Sequence, residues 1–478
     1  MISDWITHNK ERIILTLLIS IPAVLALLCI FLFGRTVLFW DEWVMVPVID
    51  QFLNGNIPWQ ELFGQVNEHV MVFPKLAIVG IALITGFNTV AEMYFSWIIL
   101  VLITLLVLTL YTRYFGKTRN SLLLFIPVAW LLWSLRQWEN FLFGFQLNFF
   151  LCILGFVIAV VLLDRSEEIS LTFLGALGGA VVTSFSILNG LLIWPVGILL
   201  ILLQGKGKKI LISWVISSLV ISSLYFHTWT RSDNLPAMTF ISDDPTAAIK
   251  YFFAFMGSPV STGPWAGILI QYSVLAGFIM VLFTIAGITL TVKYDLIKEN
   301  SPWIALMLFS LGTALMTTIG RSGLGVAQAL SSRYVTFTIL GIIGLYFLCV
   351  SLYRHKGPAI HTSGWLLKGI TCIILLGVFL GMIEGLAMGM KIASDREKMT
   401  CTLINYHSAS DDSLLALHPD AGFTREMAKV LERQHINVFS GPDHQQQNIN
   451  CTTAGTYPDL YYQLYEYMEK ITQQISGT

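Results

Sequence analysis

Residues 13–33 read IILTLLISIPAVLALLCIFLF, a run without a single charged side chain. A helix of about 20 apolar residues spans the hydrocarbon core of a bilayer, and this run meets that length. It is longer than the apolar core of a secretory signal peptide, and no small-residue cleavage site follows it. We therefore predict a retained transmembrane helix near the start of the chain.

The composition of the whole chain is also typical of a membrane protein. Of the 478 residues, 55% are hydrophobic and only 12% are charged, whereas soluble domains carry about 25% charged residues. The formal net charge is -1, which excludes nucleic-acid binding through bulk basicity. The sequence predicts an all-α polytopic membrane protein.

Further apolar runs of about spanning length follow along the chain. Basic residues favour the cytoplasmic side of a membrane, so their placement decides which shorter runs also cross. Fourteen of the 28 basic residues fall on one side if 121–135 and 190–203 span and 71–87 does not. This arrangement predicts about eleven transmembrane helices, at 13–33, 93–112, 121–135, 141–163, 171–188, 190–203, 209–226, 265–292, 302–320, 334–353 and 366–390.

The same charge bias predicts an orientation, with the N-terminus in the cytoplasm and the C-terminus outside. Segment 71–87 would then be an interfacial or re-entrant helix within a large first outer loop, 34–92. If that segment spans instead, the basic cluster at 113–119 lies outside, which fits the charge bias less well. We expect a transmembrane module over 1–390 and a small extracytoplasmic domain over 391–478, with helices at 424–434 and 459–473.

Two of the six cysteines, Cys401 and Cys451, lie in the polar C-terminal segment, and the other four lie in apolar runs. An extracytoplasmic compartment is oxidising, so the sequence predicts that these two form a disulfide. No cluster of cysteine and histidine has the spacing of a zinc site.

The first outer loop carries the residues most suited to catalysis. Asp41 and Glu42 follow the first span and stand between Trp40 and Trp43. Like charges in a partly desolvated site raise one carboxyl pKa, which suits a general base. The alternative is that the tryptophans anchor the chain at the membrane interface and the acids are merely solvated. The candidates for substrate binding in this loop are Glu68, His69 and Lys75, of which the first two also suit a hydrogen-bonded structural pair.

A second group, Arg136 and Glu139, falls at the outer turn between two predicted spans. A charge at mid-bilayer costs about 2.5–3.5 kcal/mol, so we expect the pair to face a polar cavity and to contact substrate. The alternative is an ion pair that caps a helical hairpin.

A third group, at another outer turn, contains Arg321, Arg333 and Tyr334 among serines and glycines. Arginine offers planar, multidentate donors to phosphate, and glycine lets backbone N–H groups approach an anion. The group predicts a phosphate-binding site. The alternative is that both arginines contact ordinary lipid headgroups.

The predicted cytoplasmic loops are short, so a donor substrate must come from the membrane or the outer compartment. An acidic pair after the first span, an arginine group suited to phosphate and a membrane cavity together resemble the GT-C superfamily of polyprenyl-phosphate-sugar-dependent glycosyltransferases. Asp41-Glu42 is similar to the adjacent Asp-Glu of protein O-mannosyltransferases. The layout, over the whole chain, is similar to bacterial serotype-converting O-antigen glucosyltransferases and to related uncharacterised bacterial GT-C proteins. The Trp-Trp-Asp-Tyr-Gly signature of oligosaccharyltransferases does not occur.

The resemblance implies a bacterial inner-membrane enzyme that moves a sugar from a polyprenyl-phosphate donor to a periplasmic glycan or lipid-linked glycan, such as O-antigen. Asp41, or Glu42 with the roles exchanged, would be the base. Arg333, with Arg321 or Arg136, would stabilise the departing phosphate. No cofactor or divalent metal would be required, and the protein would work among membrane lipids beside a donor synthase and a flippase.

A flippase or other transporter of lipid-linked saccharides is the alternative from another class. Such a protein is expected to distribute ionisable residues through the depth of the bilayer rather than at one face. Transfer of labelled sugar from a synthetic polyprenyl-phosphate sugar would distinguish the two hypotheses.

Overall fold

The computed structural model describes residues 2–227, 229–231, 240–261, 266–356, 361–440 and 451. Within these ranges the chain is mainly helical, and its two short strands, Gln65–Val66 and His69–Val70, pair antiparallel. The α-helices are α1 (Ile2–Phe33), α2 (Met45–Leu53), α3 (Trp59–Phe63), α4 (Val72–Thr85), α5 (Thr89–Phe115), α6 (Arg119–Leu132), α7 (Trp138–Leu142), α8 (Leu147–Arg165), α9 (Leu171–Ser184), α10 (Ile193–Gln204), α11 (Lys208–Phe226), α12 (Phe240–Asp243), α13 (Pro245–Gly257), α14 (Ala266–Lys293), α15 (Ile297–Arg321), α16 (Val335–Lys356), α17 (His361–Ile404), α18 (Asp411–Leu415) and α19 (Ala421–Gln434).

Nine helical segments in the described ranges are long and apolar enough to cross a membrane. The prediction of an all-α, multi-pass membrane protein is confirmed at this level. Runs 171–188 and 190–203, expected to span, contain helices of 14 and 12 residues, α9 and α10. The segments of spanning length are Ile13–Phe33, Thr89–Phe115, Arg119–Leu142, Gly144–Arg165, Lys208–Phe226, Ile270–Lys293, Ile297–Leu324, Ser332–His355 and Gly364–Ile404.

Local sequence explains the sharp turn from α4 into α5. Gly86 follows α4 with a φ of 67°, a left-handed conformation that glycine adopts at little cost. Asn88 then caps α5, since its side chain accepts the N–H groups of Val90 and Ala91. This turn ends α4 and starts α5 directly after it.

Close packing of α8 against α9 brings the far end of α9 to the first outer loop. A Cβ on Gly155 would lie 2.7 Å from the backbone oxygen of Gly179, and the reverse distance is also 2.7 Å. Glycines at such a crossing let membrane helices approach closely. As a result Leu188, just after α9, lies within hydrogen-bonding distance of His69.

The first outer loop and the C-terminal segment share one hydrophobic core. Its buried side chains come from 37–87, from 143–147 and from 403–439. Asn437 ties the two parts together, because its N–H donates to Gly86 O at 2.7 Å and its side-chain amide donates to Phe87 O at 2.8 Å. The C-terminal segment therefore packs directly on the loop that carries the acidic motif.

The long helix α17 connects the membrane region to this outer core. Its 44 residues correspond to about 66 Å of helix, and the predicted domain boundary at 390 falls inside it. Near its end Cys401 is bonded to Cys451, with 5.7 Å between the two Cα atoms. The expected helix at 424–434 corresponds to α19, whereas the one at 459–473 lies outside the described residues.

Candidate functional site

The acidic motif lies in a 3-10 turn, Trp40–Val44, which hydrogen bonds hold on both sides. Trp40 has a φ of 47°, a left-handed conformation that residues with a side chain rarely adopt. Its N–H donates to Leu417 O at 2.8 Å, and the Phe39 N–H donates to Glu42 Oε2 at 3.1 Å. Such strained positions concentrate at functional sites, where the surrounding structure maintains them.

Glu42 is buried beneath this turn, with 1% of its surface exposed. Its Oε1 accepts the N–H of Phe145, between α7 and α8, at 3.1 Å. Burial raises the pKa of Glu42 to about 7, although the charge of Arg396 and the N–H groups of Phe39 and Phe145 act in the opposite direction. Glu42 thus links the acidic turn to the membrane helices.

Arg396, which sequence reasoning missed, reaches the acidic turn from α17. Its guanidinium carbon lies 3.9 Å from the ring centroid of Phe39 and 5.4 Å from that of Phe143. Stacking of a buried guanidinium on aromatic faces is a favourable cation–π contact. The sequence carried no local signal for this contact, because Arg396 lies more than 350 positions away from the turn.

Asp41 lies at a cavity of about 570 Å³ between the first outer loop and the C-terminal segment. Its Oδ2 is 3.5 Å from the side-chain amide of Asn67, at the limit of a hydrogen bond. A volume in the range of about 300–1,000 Å³ is usual for small-molecule sites. The cavity is lined by Trp40, Asp41, Val44, Val48, Glu61, Gly64, Gln65, Val66, Asn67, Lys75, His418 and Pro419. Of the two adjacent acids, only Asp41 contributes to this lining.

Glu68 and His69 lie on the short hairpin formed by the two strands, whose turn contains Asn67 at a φ of 52°. Arg321 donates to Glu68 Oε1 through Nε at 3.0 Å and also through Nη2. Burial raises the pKa of Glu68, but the neighbouring His69 and Arg321 outweigh it and hold that pKa below its ordinary value. The hairpin is thereby tied to the end of α15.

His69 is a neutral member of this group near pH 7. Its Nδ1 accepts the N–H of Leu188 at 3.2 Å, which places the ring proton on Nε2, 3.6 Å from Glu68 Oε1. Burial lowers the pKa of His69 to about 4, only partly offset by Glu68. His69 is therefore uncharged near neutral pH, where Glu68 has its ion pair with Arg321.

Glu139 and Arg333 form an ion pair, with 3.3 Å between Oε1 and Nη1. Glu139 Oε2 accepts from the Ser332 hydroxyl at 3.0 Å and from the Arg333 N–H at 3.3 Å. The Arg333 guanidinium also lies 5.5 Å from the Tyr334 ring centroid, and the Tyr334 hydroxyl accepts from Gln328. The second and third groups predicted from sequence thus meet at this pair.

Charge interactions connect the two arginines of the third group, and connect one of them, Arg333, with Asp41. His69 is within electrostatic range of both arginines. The structure therefore brings an acid, two guanidinium groups and the Glu68–His69 hairpin into one region.

Arg136 is fully buried, and its bonded partners differ from those of Arg333. Its Nε donates to Ser261 O and its Nη2 to Leu330 O, each at 2.6 Å. Nε is also 3.2 Å from Glu384 Oε2, and Trp138 donates to the other Glu384 oxygen. Arg136 thus joins its own segment to three others, through Ser261, Leu330 and Glu384. These partners explain why a charged residue lies within apolar sequence.

Lys75 lines the cavity, but its ammonium already has backbone partners. It donates to Glu61 O at 2.5 Å and to Gly64 O at 2.7 Å. Burial lowers the pKa of Lys75 to about 8, and the nearby Glu61 offsets only part of this effect. Lys75 therefore holds the loop that forms one wall of the cavity.

Two further residues near the site were missed in the sequence. Glu92 is buried beside Glu42, and Gly144 packs so closely on it that a Cβ there would lie 2.5 Å from a Glu92 oxygen. His418 lines the cavity from the C-terminal segment. Glu92 was assigned to the end of the first outer loop and His418 to the polar C-terminal segment, and neither stood out there as a candidate.

Among the described residues no group of three or more His, Cys, Asp or Glu side chains is placed to hold a metal ion. Comparisons with protein-family models, curated proteins and solved structures found no match. The geometry of this region and the sequence are therefore the basis for assigning a function.

Proposed function

We propose that this chain is a GT-C-like glycosyltransferase that moves a sugar from a polyprenyl-phosphate donor to an extracytoplasmic glycan or lipid-linked glycan, such as O-antigen. One observation carries the proposal. Asp41 lies at a cavity large enough for a saccharide and within electrostatic range of Arg333, which in turn neighbours Arg321. A proton acceptor at a cavity and a group suited to phosphate thus lie within electrostatic range of each other.

In the proposed reaction an acceptor hydroxyl attacks C1 of the donor sugar. A bond forms between that oxygen and C1, the bond from C1 to the phosphate oxygen breaks, and Asp41 takes the hydroxyl proton. Arg333 and Arg321 stabilise the charge on the departing polyprenyl phosphate. One displacement inverts the configuration at C1, and the step needs no metal or other cofactor.

The roles of the other predicted residues follow from their contacts. Glu42 positions the turn that carries Asp41, because both of its oxygens accept backbone N–H groups. Glu139 orients Arg333, and Glu68 orients Arg321. The enclosure of Arg136 by backbone oxygens and Glu384 favours a structural role over contact with the leaving group.

The proposed protein is a bacterial inner-membrane enzyme with the N-terminus in the cytoplasm and the C-terminus in the periplasm. Nine spans plus α9 and α10 would give the eleven crossings that the distribution of basic residues favours. The donor would be made by a synthase and moved across by a flippase in the same membrane, since the polyprenyl chain keeps the sugar phosphate in the bilayer.

The test is transfer of labelled sugar from a synthetic polyprenyl-phosphate sugar by the purified full-length chain. Asp41→Asn should abolish most of the transfer, whereas Asp50→Asn, a change in the same loop outside the cavity, should preserve it. Transfer at the wild-type rate by Asp41→Asn would reject Asp41 as the base.

The alternative hypothesis, a flippase or transporter of lipid-linked saccharides, is favoured by a different observation. Arg136, Glu384 and Glu92 are ionisable groups buried within membrane-spanning segments. The same purified protein in liposomes would then move a fluorescent lipid-linked saccharide between leaflets and transfer no sugar.

A further inference from the structure

The cavity beside Asp41 has walls from two distant parts of the chain. Most lining residues belong to the first outer loop, and His418 with Pro419 closes the opposite side. These two follow α18 in the C-terminal segment, after Leu417, whose backbone oxygen accepts the N–H of Trp40. The C-terminal segment therefore holds the strained turn before Asp41 and also forms part of the cavity.

The orientation of the His418 ring is set by a hydrogen bond from the backbone two residues later. Its Nδ1 accepts the N–H of Asp420 at 3.1 Å. In a neutral imidazole the acceptor nitrogen carries no proton, so the proton lies on Nε2. His418 is half-buried and lines the cavity, and its Nε2–H has no hydrogen-bond partner in the described residues.

The chemistry of the lining matches a saccharide better than an apolar ligand. Asn67 and His418 supply hydrogen-bonding groups, and Asp41 supplies a carboxylate. Trp40, half of whose surface is exposed, also lines this space. Sugars present hydroxyls in their ring plane and C–H groups on their faces, and such a set of side chains satisfies both kinds of surface.

We propose that this cavity is an acceptor-saccharide subsite in which His418 Nε2–H donates to an acceptor hydroxyl and Trp40 packs against the sugar ring. Its role as the acceptor side rests on the proposed glycosyl transfer, in which Arg333, within electrostatic range of Asp41, takes the donor phosphate. His418 is then a specificity-determining residue supplied by the C-terminal segment.

Binding is tested on the full-length protein in detergent micelles, by saturation-transfer NMR with methyl hexosides and with O-polysaccharide fragments released from lipopolysaccharide by mild acid. The wild-type chain should saturate protons of at least one saccharide. His418→Ala should weaken that binding about two- to tenfold, the usual effect of one neutral hydrogen bond. His407→Ala, at an exposed histidine of the same segment outside the cavity, should leave it unchanged.

Kinetics separate failure of the subsite from failure of the transferase. In sugar transfer His418→Ala should raise the acceptor KM by a similar factor and leave the donor KM unchanged, and His418→Gln, which keeps an N–H donor, should recover part of the loss. An unchanged acceptor KM in a working transferase, or no saccharide binding by the wild-type chain, would overturn the subsite. Saccharide binding that depends on His418 in a chain that transfers no sugar would retain the subsite and reject the transferase.

Discussion

Arg321 donates two hydrogen bonds to a single oxygen of Glu68, although 253 positions separate them in the chain. The pair fastens the hairpin of the first outer loop to the end of α15. The second oxygen of Glu68 is buried and accepts no hydrogen bond from the described residues. Oε1 of this carboxylate is therefore held by Arg321, whereas Oε2 has no hydrogen-bond donor among the described residues.

Loss of either partner of this pair should destabilise the protein. Glu68→Ala or Arg321→Ala leaves a buried charge without its partner, which we expect to cost about 2–4 kcal/mol of unfolding free energy. The double variant should cost at least about 1 kcal/mol less than the sum of the single variants. Unfolding in mixed micelles measures all three, and simple additivity would show that the two side chains do not interact.

The amide variant of Asp41 should lose catalytic activity, whereas the amide variant of Glu42 should lose stability. Asp41→Asn should lower kcat by about 10²–10⁴ and leave the melting temperature unchanged, because it removes a proton acceptor at the cavity. Glu42→Gln should cost about 1–3 kcal/mol of stability, because its amide group would face a backbone N–H of Phe39 or Phe145.

The check is sugar transfer and thermal unfolding of both variants at equal expression. Glu426→Gln, at an exposed carboxylate of α19, serves as the control for unfolding. Equal losses of stability at Asp41 and Glu42, or near-wild-type turnover in both, would contradict the division of roles.

Substitution of Arg333 should change the kinetics of transfer, whereas substitution of Arg136 should lower the stability of the protein. Arg333→Ala should raise the donor KM and lower kcat, and Arg333→Lys should recover part of the loss since it keeps the charge but not the planar fork. Arg136→Ala should lower stability by about 3–5 kcal/mol, because it leaves Glu384 buried without its ion-pair partner. A purely kinetic effect of Arg136→Ala would mean that Arg136 contacts substrate.

His69 should make the protein less stable in mild acid. An unfolded histidine titrates at about 6.5, whereas burial lowers the folded pKa to about 4. The unfolded chain therefore binds more protons between these values, and stability falls as the pH drops from 6.5 towards 4, by roughly 2–3 kcal/mol. His69→Gln should remove this part of the pH dependence.

Melting temperatures of wild type and variant between pH 4.5 and 7.5 provide the measurement. His407→Gln, at an exposed histidine, is the matched control and should keep the wild-type slope. An identical slope in His69→Gln would show that His69 titrates alike in the folded and unfolded chain.

The orientation predicts which reporters work at the C-terminus. Basic residues gather on one side of the predicted spans, and that side is expected to be cytoplasmic. An alkaline phosphatase fused after the last residue should be active and a green fluorescent protein dark. The reverse pattern would show that Val72–Thr85 spans the membrane, or that α9 or α10 does not.

The sequence was most informative where the relevant property is local. The apolar runs and α19 were recognisable from neighbouring residues, and the charged groups at 136–139 and 321–334 stood out because charge is scarce around them. Arg136 shows the limit of such reasoning. It lies beside Glu139 in sequence, yet it pairs with Glu384 while Glu139 pairs with Arg333.

The sequence by itself determined that the chain is helical and multi-pass, because a backbone in hydrocarbon must satisfy its hydrogen bonds within each apolar segment. Only the tertiary structure decided which charges meet. It brings together three pairs of residues that lie hundreds of positions apart, namely Glu68 with Arg321, Glu42 with Arg396 and Asp41 with His418. Those neighbours depend on how helices pack against one another, and packing is a property of the whole chain rather than of any segment of it.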